Sequence, residues 1–251
     1  SHDNIERIEA SPRAFGVAFL GSVHDALSGS SRGGRPVENL RALFPLYETS
    51  FMTVALKAKS ISTIKALHGK KVGCGADGGP AEAYLAALAE VTGIKPEIVN
   101  GTPSEQVAKL LSGELDALWQ GAVVPIPSLV LATRDADCAV FGLNSFELAR
   151  MRTRFPFLAE AVIPAGTYRG QASDIRSIAA WNVLVANRSL PEPEAYALVK
   201  SVLGAKNLVE VIGAPARATK AANAPVNTML PYHPGAARAL AELGVAVTAL
   251  P

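Results

Sequence analysis

The chain has 251 residues, 49% hydrophobic and 18% charged, with 24 basic against 22 acidic side chains and a formal net charge of +2. That length suits one large domain or two of ordinary size, and the apolar fraction excludes a disordered chain. No basic run carries interleaved aromatics, which argues against a nucleic-acid-binding face, and no apolar stretch approaches the roughly 20 residues needed to span a bilayer.

In chain order, residues 2–10 predict a helix that ends before Pro12, and Ala14–Leu20 a buried strand. Ser22 reads as the N-cap of a short helix running to Leu27, followed by a Ser/Gly/Arg-rich loop over Ser28–Pro36. Leu40–Ala58 is apolar and partly β-branched, and its interruption at Pro45 predicts two consecutive strands. Ser62–Gly69 predicts one or two helical turns closed by a glycine, and Lys70–Gly75 a strand. Pro80–Gly93 is the clearest helix: Tyr84, Leu85, Leu88 and Val91 recur at helical spacing, with Pro80 in the first turn and Gly93 at the exit. Strands at Glu97–Asn100, Ala117–Gln120 and Ala139–Leu143 then alternate with helices at Ser104–Ser112, Ile126–Thr133 and Ser145–Arg154.

This alternation predicts the α/β class, with mostly parallel sheets flanked by helices. The apolar run Ser177–Ala186 breaks the rhythm and is long enough to leave one sheet and enter another. Helices are expected at Glu194–Leu203 and Pro234–Leu243, with irregular Ala/Pro-rich chain between them. One domain interrupted by a second follows: lobe one over 1–73 plus 184–251, lobe two over 74–183. The ligand is expected in a cleft between the lobes, at the carboxyl ends of the strands, with hinges near Val72–Gly75 and Trp181–Val185.

Several segments carry candidate chemistry. Gly73–Gly79 ends a strand and opens the Pro80 helix, so its backbone N–H groups lie at the positive end of a helix dipole and suit a carboxylate or phosphate. Gly73, Gly75 and Gly78 match the dinucleotide spacing, but Glu97 begins the next strand instead of ending it, which argues against NAD. Glu114 and Asp116 precede a strand and read as solvated turn residues. Gln120 and Gly121 follow Trp119 at that strand's carboxyl end, where a ligand would be met. Tyr168 and Arg169 stand in a compact loop of small residues.

Cys74 and Cys138 lie in apolar strand-like runs and read as buried free thiols, with a disulfide left open. There is no Cys-x-x-Cys, and His2, His24, His68 and His233 are scattered, against a zinc site. No serine-hydrolase elbow, zincin or Walker sequence occurs, and no catalytic apparatus assembles from the obvious residues.

Five segments together resemble one family: Arg41–Glu48, Leu67–Gly73, Leu111–Ala117, Ile163–Gln171 and Leu230–Ala237. They are similar to the TAXI receptors, the TRAP-associated extracytoplasmic immunogenic solute-binding proteins. The Ile163–Tyr168 and His233–Ala236 elements are the most specific. The resemblance implies a two-lobed, type II periplasmic-binding-protein-like fold and a small organic ligand, amino-acid or carboxylate-like. It also implies delivery to TRAP transporter membrane subunits, no catalysis, and neither cofactor nor metal. The location implied is periplasmic, with membrane association only through the transporter.

Ligand contacts implied by the resemblance map to Ser22, Tyr47, Gly75, Asp77, Gly78, Gly79, Pro80, Ala81, Gln120, Gly121, Ala122 and Tyr168. Two departures stand out. The chain opens at Ser1 without a signal peptide and without the family's first strand and glycine-rich loop, and reads as processed or truncated. The Phe19–Ser22 strand end is also less polar than in relatives. The competing readings are an enzyme on the same fold and the effector-sensing domain of a transcription regulator.

Overall fold

The computed structural model describes residues 2–30 and 34–249; residues 31–33 of the expected Ser28–Pro36 loop lie outside the described residues. The elements run α1 (His2–Ala10), β1 (Phe15–Phe19), α2 (Leu20–Leu27), β2 (Leu40–Leu56), a 3₁₀ turn (Ile64–Leu67), β3 (Lys71–Gly73), α3 (Pro80–Thr92) and β4 (Glu97–Val99). Then follow α4 (Pro103–Leu111), β5 (Ala117–Ala122), α5 (Pro127–Asp135), β6 (Cys138–Phe141), α6 (Ser145–Arg154), β7 (Ala159–Ile163) and β8 (Ile175–Asn187). The chain closes with α7 (Glu192–Leu203), α8 (Leu208–Ile212) and α9 (Pro234–Glu242).

The helices start where capping chemistry places them. Thr102 and Glu105 form a reciprocal capping box on α4, and Asn144 and Glu147 form another on α6. Gly93 ends α3 at φ 73°, a left-handed position that suits glycine. Ser22 is different from its expected role: α2 already begins at Leu20, after Phe19, and Ser22 is buried inside the helix.

The strands depart further from expectation. Leu40–Leu56 is one 17-residue strand, not two, with Pro45 buried within it. The β5 ladder on β2 begins only at Ser50 and the β6 ladder at Thr53, so the missing N–H of Pro45 removes no bond from either. Strand β7 was not anticipated; its five residues pair antiparallel with Ile175–Ala179 of β8. β3–β4 and β3–β5 run parallel, whereas β2–β5, β2–β6, β7–β8 and β1–β8 are antiparallel, and β8 also neighbours β2. The sheet is therefore mixed, not mostly parallel.

Two compact units divide the chain, residues 1–48 with 180–251 and residues 49–179. The crossings fall at Glu48/Thr49 and Ala179/Ala180, inside β2 and β8, where the sequence reading puts them at 73/74 and 183/184. A single unbroken β2 is the reason the first crossing lies so much earlier.

In the unit of residues 49–179, alternation along the strands sorts side chains onto two faces. Phe51 and Trp119 stack at 6.1 Å between ring centroids, Tyr84 of α3 meets Phe51 edge-on at 4.9 Å, and α3 packs on α6 and β5. Met52, Val54 and Leu118 form a second core with Val107 and Leu110 of α4 and Leu129 and Ala132 of α5. Three layers result. Cys74 and Cys138 are free and buried there.

In the other unit, β1 pairs with Asn182–Ala186 of β8, and α1 and α2 pack on β1. Helices α7 and α9 pack closely because Gly235 lacks a Cβ, which would lie 2.3 Å from the Glu192 carbonyl oxygen. Among the described residues no helix is long and apolar enough to cross a membrane.

Candidate functional site

The glycine-rich turn between β3 and α3 is built by necessity. A Cβ on Gly73 would lie 2.7 Å from Leu118 Cδ2, and Gly75 and Gly78 take φ values of 67° and 64°. The turn is laced to the end of β4: Cys74 N–H donates to the Val99 carbonyl at 3.0 Å, and Gly101 N–H donates to that of Gly75 at 2.8 Å.

Two buried amides support it. Gln106 of α4 is 1% exposed; its Oε1 accepts from Gly75 N–H at 3.0 Å and its Nε2 donates to the Val99 carbonyl at 2.8 Å. Gln120 of β5 donates from Nε2 to Gln106 Oε1 at 2.6 Å and reaches the Gly73 carbonyl at 3.4 Å. With Gln106 Oε1 accepting two hydrogen bonds and Nε2 donating to Val99, the turn is braced from the buried side. Gln120 thus reaches the expected turn, but as a buried strut.

Facing solvent, Glu82 folds back over the start of α3. Its Oε2 accepts from Gly78 N–H at 2.8 Å and from Asn100 Nδ2 at 2.9 Å. A helix N-terminus attracts anions, and here the protein's own carboxylate takes the position. Asp77, Gly78 and Pro80 are exposed, while Gly79 and Ala81 are half-buried. Gly121 is required for packing, since a Cβ there would meet the Phe51 ring at 2.2 Å; Ala122 ends the strand beside it.

Tyr168 does not join this turn. It is buried in the core with Ile126 and Leu129, and its hydroxyl oxygen accepts from Ile126 N–H at 2.8 Å, just before α5. Burial pushes its pKa up to about 12. Arg169 Nη1 donates to the Arg134 carbonyl at 3.0 Å, near the end of α5. Gln171 Nε2 ties the same loop through the carbonyls of Ile163, Pro164 and Ser173. The Ile163–Gln171 loop therefore clasps α5 at both ends, through Tyr168 and Arg169.

Ser22 and Tyr47 belong to the unit of residues 1–48 and 180–251. Ser22 is buried in α2; Tyr47 is half-buried, and its carbonyl accepts from Asn182 Nδ2 at 3.3 Å. In the same unit, His233 caps α9: Nδ1 accepts from Gly235 N–H at 3.2 Å, which leaves Nε2–H to donate to the Leu190 carbonyl at 2.9 Å.

The sequence reading missed Gln106, Glu82 and Asn100. Gln106 carried a signal: it is a polar residue four positions before Leu110, on the buried face of an amphipathic helix. Glu82 stands three residues after the Gly79 N-cap, the position from which a carboxylate reaches back. Among the described residues no group of three or more His, Cys, Asp or Glu gathers to hold a metal.

Comparison with solved structures shows the fold. MatC of Rhodopseudomonas palustris, solved with bound malate, is 15% identical, with 86% of this chain matched to 74% of that one at a TM-score of 0.53. Rpa4515 of R. palustris, solved with adipate, is 11% identical over 86% of this chain and 73% of that one, at a TM-score of 0.51. A structure described as a periplasmic transporter matches at 13% identity over 83% and 70%, with a TM-score of 0.50. The α/β, periplasmic-binding-protein-like fold is shared with these proteins. A family model spans residues 1–244, and the chain belongs to the NMT1-like family.

Proposed function

We propose that this protein is an extracytoplasmic solute-binding receptor that captures a small organic solute and hands it to a membrane transporter. The observation that carries the reading is the glycine-rich turn: on a fold of this kind, a strand-to-helix turn braced by buried Gln106 and Gln120 sets Gly78 N–H and the Asn100 amide side by side at a helix start, where they already hold a carboxylate, that of Glu82. The family match and the shared fold with proteins solved with malate and adipate support it. Its ligand belongs to the small carboxylates or amino acids, the transporter is of the TRAP type, and the protein acts outside the cytoplasm as a TAXI-like receptor without catalysis. The Ile163–Tyr168 and His233–Ala236 elements support that finer assignment.

In the ligand-binding state, Gly78 N–H and Asn100 exchange the Glu82 carboxylate for the solute. The lobes, their cleft and the remaining contacts at Ser22, Tyr47, Asp77 and Ala81 belong to the same proposal. Native mass spectrometry of the purified protein tests it, together with thermal unfolding in the presence of malate, adipate and a panel of amino acids. A ligand at about 100 times its Kd stabilises the folded protein by about 2.7 kcal/mol. A co-purified small molecule or a clear rise in unfolding temperature is expected; neither, across the panel, overturns the reading.

A further inference from the structure

Outside α8, the exposed apolar side chains stand singly. Phe15, Val130 and Val162 lie on separate elements, and Phe146 is covered by the Arg150 guanidinium, 5.9 Å from its ring centroid. Helix α8 gathers three: Val209 is 39% exposed, Val211 72% and Ile212 56%, and none of its five residues is buried.

The sequence makes this helix two-sided. At about 3.6 residues per turn, Leu208, Val209, Val211 and Ile212 fall within an arc of about 160°, and Glu210 lies outside it on the opposite side. Valine and isoleucine are middling helix formers, so propensity does not account for the pattern. The core does not account for it either, because no side chain of α8 is buried. The helix packs on a 3₁₀ turn (Ala214–Ala218), reached through Gly213 at φ 96°, a backbone position that favours glycine.

Charge is distributed unevenly around it. Between Glu194 and Glu242 the chain has five lysines and arginines and a single acid, Glu210. Two of the cations are neutralised: Lys200 pairs with Glu242 at 3.1 Å, and Arg238 with Glu192 at 2.7 Å. The other three, Lys206, Arg217 and Lys220, flank α8 and its 3₁₀ turn. All three are exposed and, among the described residues, have no ion-pair partner.

We propose that α8 and its basic flanks dock on the surface of an anionic lipid bilayer. Val209, Val211 and Ile212 enter the headgroup boundary, while Lys206, Arg217 and Lys220 meet the lipid phosphates. Charge complementarity selects this occupant, since aliphatic area beside unneutralised cations is what holds a short helix at an anionic interface. Size argues against a protein partner. Three exposed aliphatic side chains fall far short of the roughly 20–30 residues a side in a stable protein interface, and α8 carries none of the aromatic anchors enriched there. The docking surface goes beyond the solute-receptor reading and stands or falls separately from it.

The test is flotation of the 251-residue protein with vesicles of phosphatidylcholine alone and of phosphatidylcholine and phosphatidylglycerol in equal parts. Binding to the mixed vesicles is expected, weakening as salt is raised, with partition at least about tenfold lower on phosphatidylcholine alone. Val211→Ser combined with Ile212→Ser removes aliphatic area at exposed positions. It is expected to lower partition by at least about tenfold while the urea midpoint stays at wild type. Lys206→Gln combined with Lys220→Gln is expected to weaken binding and flatten its salt dependence. Val162→Ser, at a position 57% exposed in the other unit, is expected to bind as wild type does. No binding to the mixed vesicles, equal binding to both kinds, or wild-type binding by the Val211/Ile212 double variant would each overturn the assignment. So would a concentration-dependent dimer in size exclusion that this double variant abolishes, which would give the face to a second copy of the chain.

Discussion

Removing one oxygen from Tyr168 separates a structural role from a ligand contact. Its hydroxyl is the acceptor for the buried Ile126 N–H, so Tyr168→Phe orphans that donor. A buried donor without a partner costs about 1–3 kcal/mol, and chemical denaturation should show that loss while solute affinity stays at wild type. Glu82 makes the opposite case. An anionic solute must displace its carboxylate from Gly78 N–H and Asn100 Nδ2, so Glu82→Gln should raise affinity for a dicarboxylate by about tenfold, or 1.4 kcal/mol, in calorimetry. An unchanged or lower affinity would mean that the solute does not meet this helix start. The two residues also show how far side-chain roles can be read from a sequence. The glycine spacing over residues 73–79 announced a tight turn at the right place, because only glycine takes the positive φ at positions 75 and 78. That Gln120 braces it and Tyr168 leaves it depends on which neighbour each side chain meets, and chain order does not carry that.

The helices were legible because their signals are local. Pro80 and Gly93 bound α3, and α6 begins at the expected Ser145 behind its Asn144 cap. The strands were less so: Pro45 normally breaks a strand, yet it stands in β2 ahead of the β5 and β6 ladders, where its missing N–H costs neither a bond. Five-residue β7 has a partner on β8 but no periodic length of its own. Helix α9 carries a prediction that the sequence motif alone could not make. His233 caps it through Nδ1 while burial, the leading cause, lowers its pKa below the ordinary 6.5. The folded state therefore favours neutral His233, and the unfolded chain binds the extra proton as pH falls. Stability from this residue is fully present above about pH 6.5 and is lost progressively below it, toward the lowered folded value. His233→Asn keeps a side-chain cap but does not titrate. Urea midpoints from pH 8 to pH 5 should fall more steeply for wild type than for the variant; parallel curves would show that His233 is not the group responsible.

At the scale of the molecule, the chain passes between its two compact units through β2 and β8. Both strands are continuous, and they are hydrogen-bonded neighbours in the sheet. On β8, the β7 ladder ends at Ala179 and the β1 ladder begins at Asn182, so Ala180 and Trp181 belong to neither. On β2, Glu48 and Thr49 stand just before the first β5 pair at Ser50. Hinges are a few residues where the chain passes between units and that absorb changes in φ and ψ. The second expected hinge, Trp181–Val185, lies next to the Ala179/Ala180 crossing; the first, Val72–Gly75, lies inside the unit of residues 49–179, in the braced turn. If the protein is a receptor of the proposed kind, adding its solute should reduce the radius of gyration measured by small-angle scattering, with the change absorbed at Glu48–Thr49 and Ala180–Trp181. Hydrogen exchange should then slow at those residues while the Gly75 amide, held by Gln106, exchanges slowly in both states. A radius unchanged at saturating solute would remove closure from the mechanism and leave a rigid binder.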